Sequence, residues 1–280
     1  MQELLHTVEK VDGTMKIRDY MKFRLGFSSS LIGKVKYGGV FLNGENVHMR
    51  AMVKNGDALR VVYPEENSEN VLPIALPLSV VYEDGDILVV NKPKDMPIHP
   101  SRGNHLPTLA GVVSHYMGAS FVFRAITRLD RDTAGLVLIA KNQRAAAVLG
   151  REMMAKGIEK VYHARVVGVP TLSEGEISAP IVREREDSIR RVVRKDGKGS
   201  LTKYRVLSVD HEGNALCEVR PITGRTHQIR VHMAHIGHPL VNDFLYGVQA
   251  GEEVYSLTCV KLAFTHPETK ERMTILLETE

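Results

Sequence analysis

The stretch AITRLDRDTAGLVLIAKN, residues 125–142, constrains the fold more than any other part of the chain. Leu136 to Ala140 is a short apolar run behind a glycine, which reads as a buried strand. Arg128, Asp130, Arg131 and Asp132 crowd the entrance to that strand. An aspartate where a loop enters a core strand is rigidly held yet reachable. A neighbouring arginine would keep it ionised and restrain its rotamer. That describes a nucleophilic or basic carboxylate, and equally an ordinary structural salt bridge.

The sequence around this strand points to an α+β fold. VVYEDGDILVV holds two strand-like runs around an Asp-Gly turn, and KVYHARVVG, LTKYRVLSV and NALCEVRPI are further β-branched runs. They favour a mixed, mostly antiparallel sheet with helices packed on it, over residues 79–280. The chain has 280 residues, 43% of them hydrophobic, enough for a substantial core and for two unequal domains. PEENSENVLPIALPL, residues 64–78, has the proline-rich polar texture of a linker.

Residues 13–63 read as a small α/β unit. Met15, Tyr20, Phe23 and Leu25 fall roughly on one helical face. Ser28 is placed to cap a second helix, SSSLIGKVKY. VFLNGENVHM then has the pattern of a hairpin turning at Asn43-Gly44, and VKNGDALRVV supplies another turn and strand. Nine lysines and arginines face three acidic residues in this unit, an excess of six where the whole chain carries +4. Such a surface is either a solvated face or a site that neutralises phosphates. Residues 183–198, REREDSIRRVVRKDGK, are a second charged tract: a flexible solvated loop or a second phosphate-contacting surface.

RPITGRTHQIRVHMAHIGHP, residues 220–239, is dense in potential chemistry. Thr223 and Thr226 could cap a helix with His227 and Arg230 on a shared face. His232, His235 and His238 recur every third residue, but no cysteine or paired carboxylate completes a metal set, and HExxH is absent. A helix presenting guanidinium groups to an anion fits better, whether that anion is a phosphate or the aspartate above. There is no GxxxxGK(S/T), no strand-GxGxxG-helix and no GxSxG elbow. Cys217 and Cys259 lie far apart in apolar surroundings, as packing thiols of a reducing compartment do. The mixed-charge N-terminus is no signal peptide and no apolar run reaches membrane-helix length, so the expected location is cytoplasmic.

Two resemblances sharpen this reading. GFSSSLIGKVKYGGVFLNGENV followed by VKNGDALRV resembles the RNA-binding module named after small-subunit ribosomal protein S-four. It implies a helix pair that packs, with Lys34 and Lys36, against structured RNA. The larger part is similar to the RluA-like pseudouridine synthase family. VVYEDGDILVVNKPKDMPIHPS, RLDRDTAGLVLIAKN, KVYHARVVG and PITGRTHQIRVHMAHIGHPLVND match in the family's order. The implied fold is that family's synthase domain behind a small N-terminal RNA-binding domain.

The resemblance implies that Asp130 is the catalytic residue. Tyr162 lies over the target base and is the base for the final proton removal, and Arg230 pairs with Asp130. Arg128, Arg225, His227 and Lys160 are expected to contact the RNA. Thr127 stands where many members have histidine, Ala134 where serine is usual, and Ser200 where alanine is common. The implied reaction detaches uracil from ribose, rotates it and rejoins it through carbon 5. No redox change occurs and no group is added, so no cofactor or metal is required. Asp130 either attacks the anomeric carbon or removes the ribose 2′ proton. The expected partner is RNA, foremost large-subunit ribosomal RNA with transfer RNA as the alternative, acted on by a monomer away from any membrane. Two other classes stay open: an RNA-binding protein on an inactive synthase fold, and a glycosidase, which needs a second carboxylate for which Asp132 is the only near candidate.

Overall fold

The computed structural model describes residues 1–27, 29–64, 71–100, 107–118, 120–247 and 255–277. The Ser28 cap and residues 65–70 of the expected linker lie outside them.

The N-terminal unit comprises β1 (Gln2–Thr7), β2 (Met15–Lys16), α1 (Ile17–Phe23), α2 (Ser29–Val35), β3 (Val40–Leu42), β4 (Glu45–Asn46), β5 (Met52–Val53) and β6 (Ala58–Tyr63). Four strands form one sheet in the order β1-β6-β3-β4, and β2 pairs with β5. Asn43 (φ 51°) and Gly44 (φ 90°) both take the left-handed conformation that a two-residue hairpin turn requires. The Asn43 side chain then ties the turn to β6, accepting a hydrogen bond from the Ala58 N–H at 2.8 Å.

Three sequence expectations need correction here. The unit begins at residue 2, not 13, because β1 pairs along its whole length with β6, from Gln2↔Tyr63 to Thr7↔Ala58. Residues 2–12 add Glu3, Glu9, Asp12 and Lys10, which lowers the positive excess from six to four. The buried face of α1 is Ile17, Tyr20 and Met21, while Phe23 is exposed and Met15 belongs to β2. Residues 71–78 are not a free linker: the Ile74 N–H donates to the Gly111 carbonyl at 2.9 Å, and Val71 and Leu78 pack on the larger core.

The larger unit holds β7 (Val80–Glu83), β8 (Ile87–Lys92), α3 (Leu109–Met117), β9 (Ala134–Ala140), α4 (Gln143–Met154), β10 (Glu159–Val166), β11 (Glu174–Ser178), β12 (Ile181–Arg183), β13 (Arg191–Val193), β14 (Leu201–Val209), β15 (Ala215–Pro221), α5 (Gln228–His235), β16 (Leu257–Thr265) and β17 (Arg272–Leu276). A nine-stranded sheet runs β11-β14-β15-β10-β16-β9-β8-β7, with β17 also on β16. The architecture is the expected one: every neighbouring pair is antiparallel except β9 with β16. That parallel join is short and hinges on Gly135, at φ 105°. A Cβ there would lie 2.3 Å from the Cys259 carbonyl oxygen, so only glycine lets the two strands meet just behind the RLDRD loop.

The tract at 183–198 is not a loose loop. It forms the β12–β13 hairpin and the turn after it, and it pairs its own charges. Arg194 donates to Asp196 at 2.6 and 2.9 Å, Arg190 lies 3.5 Å from Glu184, and Arg183 donates to the Glu186 carbonyl. The two units touch at α4, where Arg151 donates to the Lys22 carbonyl at 3.1 Å.

Candidate active site

The loop from Thr127 to Thr133 is held at both ends and in the middle. Thr127, buried, accepts the Leu138 N–H on its hydroxyl at 2.9 Å and so closes the loop onto β9. The Arg131 carbonyl accepts from Lys92 Nζ at 2.8 Å and from the Met96 N–H at 3.2 Å. Lys92 is fully buried and gives its other protons to the carbonyls of Pro93 and Met96. Burial lowers its pKa to about 8, against the pull of Asp132, Asp130 and Asp95. Asp132 is buried and takes both prongs of Arg131, and Thr133 meets the Tyr255 hydroxyl at 3.2 Å. Thr127, Arg131, Asp132 and Thr133 are thus tied, while the Asp130 side chain keeps 32% of its surface exposed.

Asp130 opens into a cavity of about 550 Å³, within the usual span for a small-ligand site of about 300–1,000 Å³. Seven of the nine residues singled out from sequence line it: Asp130, Tyr162, Arg230, Arg128, Arg225, His227 and Lys160. They come from the loop, from β10, and from the segment leading into and through α5. Lys34 and Lys36 are elsewhere, exposed on and just after α2, with Lys36 Nζ 4.6 Å from the Tyr37 ring centre. Among the described residues Asp130 is the only carboxylate lining the cavity. Asp132 faces Arg131 instead, so the pair of carboxylates that a glycosidase needs is not assembled.

The expected ion pair between Arg230 and Asp130 is not formed. Arg230 is 3% exposed and gives both prongs to Asp243, Nε to Oδ2 and Nη2 to Oδ1, each at 2.7 Å. Its guanidinium also faces three aromatic rings, Tyr255 at 4.2 Å, Tyr246 at 4.9 Å and Phe244 at 5.7 Å. Among the described residues, the one basic side chain at ion-pair distance from Asp130 is His227, with Nε2 4.0 Å from Oδ2.

The helix also starts later than its threonines suggest. The Thr223 hydroxyl accepts the Leu201 N–H and donates to Gln228 Oε1, so it holds β14 to the helix rather than capping a first turn at 224. α5 begins at Gln228, and Arg225 sits in the preceding loop, donating to the Gly199 carbonyl at 3.2 Å. His227, at φ 58°, is the residue where the chain turns into the helix. Of the three later histidines, His232 is buried between Thr202 and the Ala179 carbonyl, and His238 meets the Val167 carbonyl. No group of three metal-ligating side chains stands together among the described residues.

Tyr162 lies at the cavity wall, 6% exposed. Burial, with Cys259 and Asp130 beside it, holds its phenol well above the ordinary range, so it keeps its proton at neutral pH. A general base works best with a pKa near the operating pH, so these surroundings do not suit Tyr162 to act as a proton-removing phenolate. Burial lowers the pKa of Lys160 on the same wall.

Comparison with known proteins shows the family of the chain. Residues 86–235 match the family described as RNA pseudouridylate synthase. The chain is 37% identical over 268 residues to the uncharacterized RNA pseudouridine synthase YjbO of Bacillus subtilis, covering 92% of this chain and 93% of that one. The chain belongs to the RNA pseudouridylate synthase family. It is likewise 38% identical to ribosomal large subunit pseudouridine synthase D of Pasteurella multocida, over 84% of this chain and 78% of that one. The solved structure of human RNA pseudouridylate synthase domain containing 1 superimposes with a TM-score of 0.62 at 29% identity, covering 72% of this chain and 84% of that one. The protein is therefore an RNA pseudouridine synthase, an isomerase of the RluA/RluD type, and RNA is its partner.

Within this synthase, sequence reasoning missed Lys92, Asp243, Tyr246 and Tyr255. Lys92 carried a signal, a lysine closing the apolar run ILVVNK. Asp243 ends a stretch that matches the family but offers no local cue to its partner. The two tyrosines follow no periodic pattern.

Proposed function

We propose that this synthase isomerises uridines in structured RNA of the large ribosomal subunit, in the cytoplasm, as a monomer, with Asp130 as its catalytic carboxylate. One observation carries the assignment: Asp130 is the only cavity-lining carboxylate among the described residues, and the loop around it is fixed while its own side chain is left reachable. Either attack on the anomeric carbon or removal of the 2′ proton needs an ionised, reachable carboxylate. The relatives named for the large ribosomal subunit support the substrate class.

The target uridine must leave its stack, at a cost of about a few kcal/mol. Arg128, Arg225 and Lys160 around the cavity, and Lys34 and Lys36 of the S-four-like unit, offset that cost through backbone contacts. Tyr162 covers the flipped base. Arg230, locked on Asp243, builds the wall behind Asp130. The test is incubation with transcribed large-subunit ribosomal RNA, and separately with transfer RNA, followed by nucleoside analysis. Pseudouridine in the ribosomal RNA alone is the expected result. Pseudouridine in transfer RNA alone would move the substrate class, and released uracil would replace isomerisation by hydrolysis.

A further inference from the structure

His227 stands between two groups that the isomerisation itself does not connect. On one side its Nδ1 lies 2.7 Å from the Tyr246 hydroxyl, and on the other its Nε2 lies 4.0 Å from Asp130 Oδ2. The Tyr246 oxygen already accepts the Arg191 backbone N–H at 2.9 Å. Donation of the tyrosine proton to Nδ1 satisfies both groups, and in that tautomer Nδ1 accepts while the ring proton sits on Nε2, on the side of Asp130. The rings of His227 and Tyr246 meet edge to face, with centres 5.6 Å apart. Histidine tolerates the left-handed backbone at this position better than most side chains do, and that backbone starts α5 with the imidazole facing the cavity.

We infer that Tyr246 and His227 form a positioning chain for Asp130, running from the β13 backbone through the tyrosine hydroxyl and a neutral imidazole to one carboxylate oxygen. His227 is then a positioning residue and not the RNA contact its sequence position suggests. The inference rests on the assignment of Asp130 as the catalytic carboxylate. Holding Oδ2 leaves Oδ1 to face the ribose, and the 4.0 Å gap shortens when RNA closes the site, as catalytic hydrogen bonds commonly do. The chain needs a neutral ring. Burial, Arg230 and Arg191 all lower the pKa of His227, while Asp130 and Asp243 oppose them. Among the described residues these charges and Tyr246 are the groups that act on it, and an imidazolium would turn a second N–H against the tyrosine proton.

The experiment uses the full chain, transcribed large-subunit RNA, and the variants His227→Gln and Tyr246→Phe. The parent should lose kcat on the acid side as His227 protonates. Glutamine can donate an N–H at every pH, so His227→Gln should lose that acid limb while keeping part of kcat and the RNA affinity. Tyr246→Phe keeps the ring against Arg230 but removes the proton donor to Nδ1. Its kcat should fall by up to about a hundredfold, as misplacing a reacting group by about 1 Å can do, and its acid limb should move to higher pH. A His227→Gln variant with the parent's acid limb overturns the chain. So does a Tyr246→Phe variant with unchanged kcat and limb, or a His227→Gln variant that weakens RNA binding with kcat intact. Asp130→Asn measured alongside separates the two readings: an active Asp130→Asn removes the catalytic assignment itself.

Discussion

The fold treats two carboxylates, Asp243 and Asp130, in opposite ways. Asp243 is 0% exposed and accepts four hydrogen bonds, two from Arg230 and one each from the Leu245 and Tyr246 N–H groups. Asp130 is a third exposed, and among the described residues the nearest basic side chain, the His227 imidazole, is 4.0 Å away. A carboxylate that is fully bonded holds two pieces of chain together. One that is rigidly mounted but under-bonded keeps its lone pairs for a substrate. The pairing of residues thus separates framework from chemistry where charge alone does not.

The comparison is tested first by the largest effect. Asp130→Asn keeps the size of the side chain and loses its charge, and pseudouridine formation should fall below detection with RNA binding retained. Turnover at a tenth of the parent's would place the chemistry elsewhere. Asp243→Asn should act on stability instead. It leaves the Arg230 guanidinium buried without its counter-ion, and removing one partner of a buried pair costs about 3–5 kcal/mol. Denaturant unfolding reads this, and an unchanged midpoint would deny the framework role.

How far the sequence foretold these roles depends on how local each cause is. The reachable position of Asp130 was legible because its loop, its strand and its neighbouring charges are contiguous in the chain, while the catalytic role proposed for it came from the family resemblance alone. The mostly antiparallel sheet was legible from its β-branched runs. The partner of Arg230 was not, because two aspartates were available and only the path of the chain through residues 236–243 brings one of them to the guanidinium. The start of α5 was misread because Thr223 looks like a cap until β14 is seen to claim its hydroxyl. β1 was overlooked because Leu4 and Leu5 adjoin, one facing the core and one exposed, which hides the alternation of a half-buried strand.

A smaller effect concerns Lys92, the cation that fixes the loop from below. Its pKa is lowered from 10.5 to about 8, so between those values the unfolded chain binds more protons than the folded one. Stability from this group therefore rises with pH across that window. Relative to Lys92→Met, the parent should gain about 3 kcal/mol between pH 8 and 10.5, at about 1.4 kcal/mol per unit. A parent whose advantage shrinks over that range would contradict the assignment. The smallest effect is expected from deleting residues 1–70. The cut spares Ile74 and its bond to Gly111, so the synthase unit should stay folded. RNA affinity should drop, and the salt slope should flatten by about 0.7–0.9 for each phosphate that is no longer neutralised. An unchanged slope would make the N-terminal charge a solvated face.

The most direct measurement of the central claim is the thermal unfolding of Asp130→Asn beside the parent. A carboxylate that the fold leaves under-bonded contributes little to holding the fold together, so removing its charge should leave Tm unchanged or raise it slightly, as relieving a functional site commonly does. A fall in Tm matching a loss of several kcal/mol would show that Asp130 is a structural partner like Asp243, and the distinction between the two carboxylates would fail.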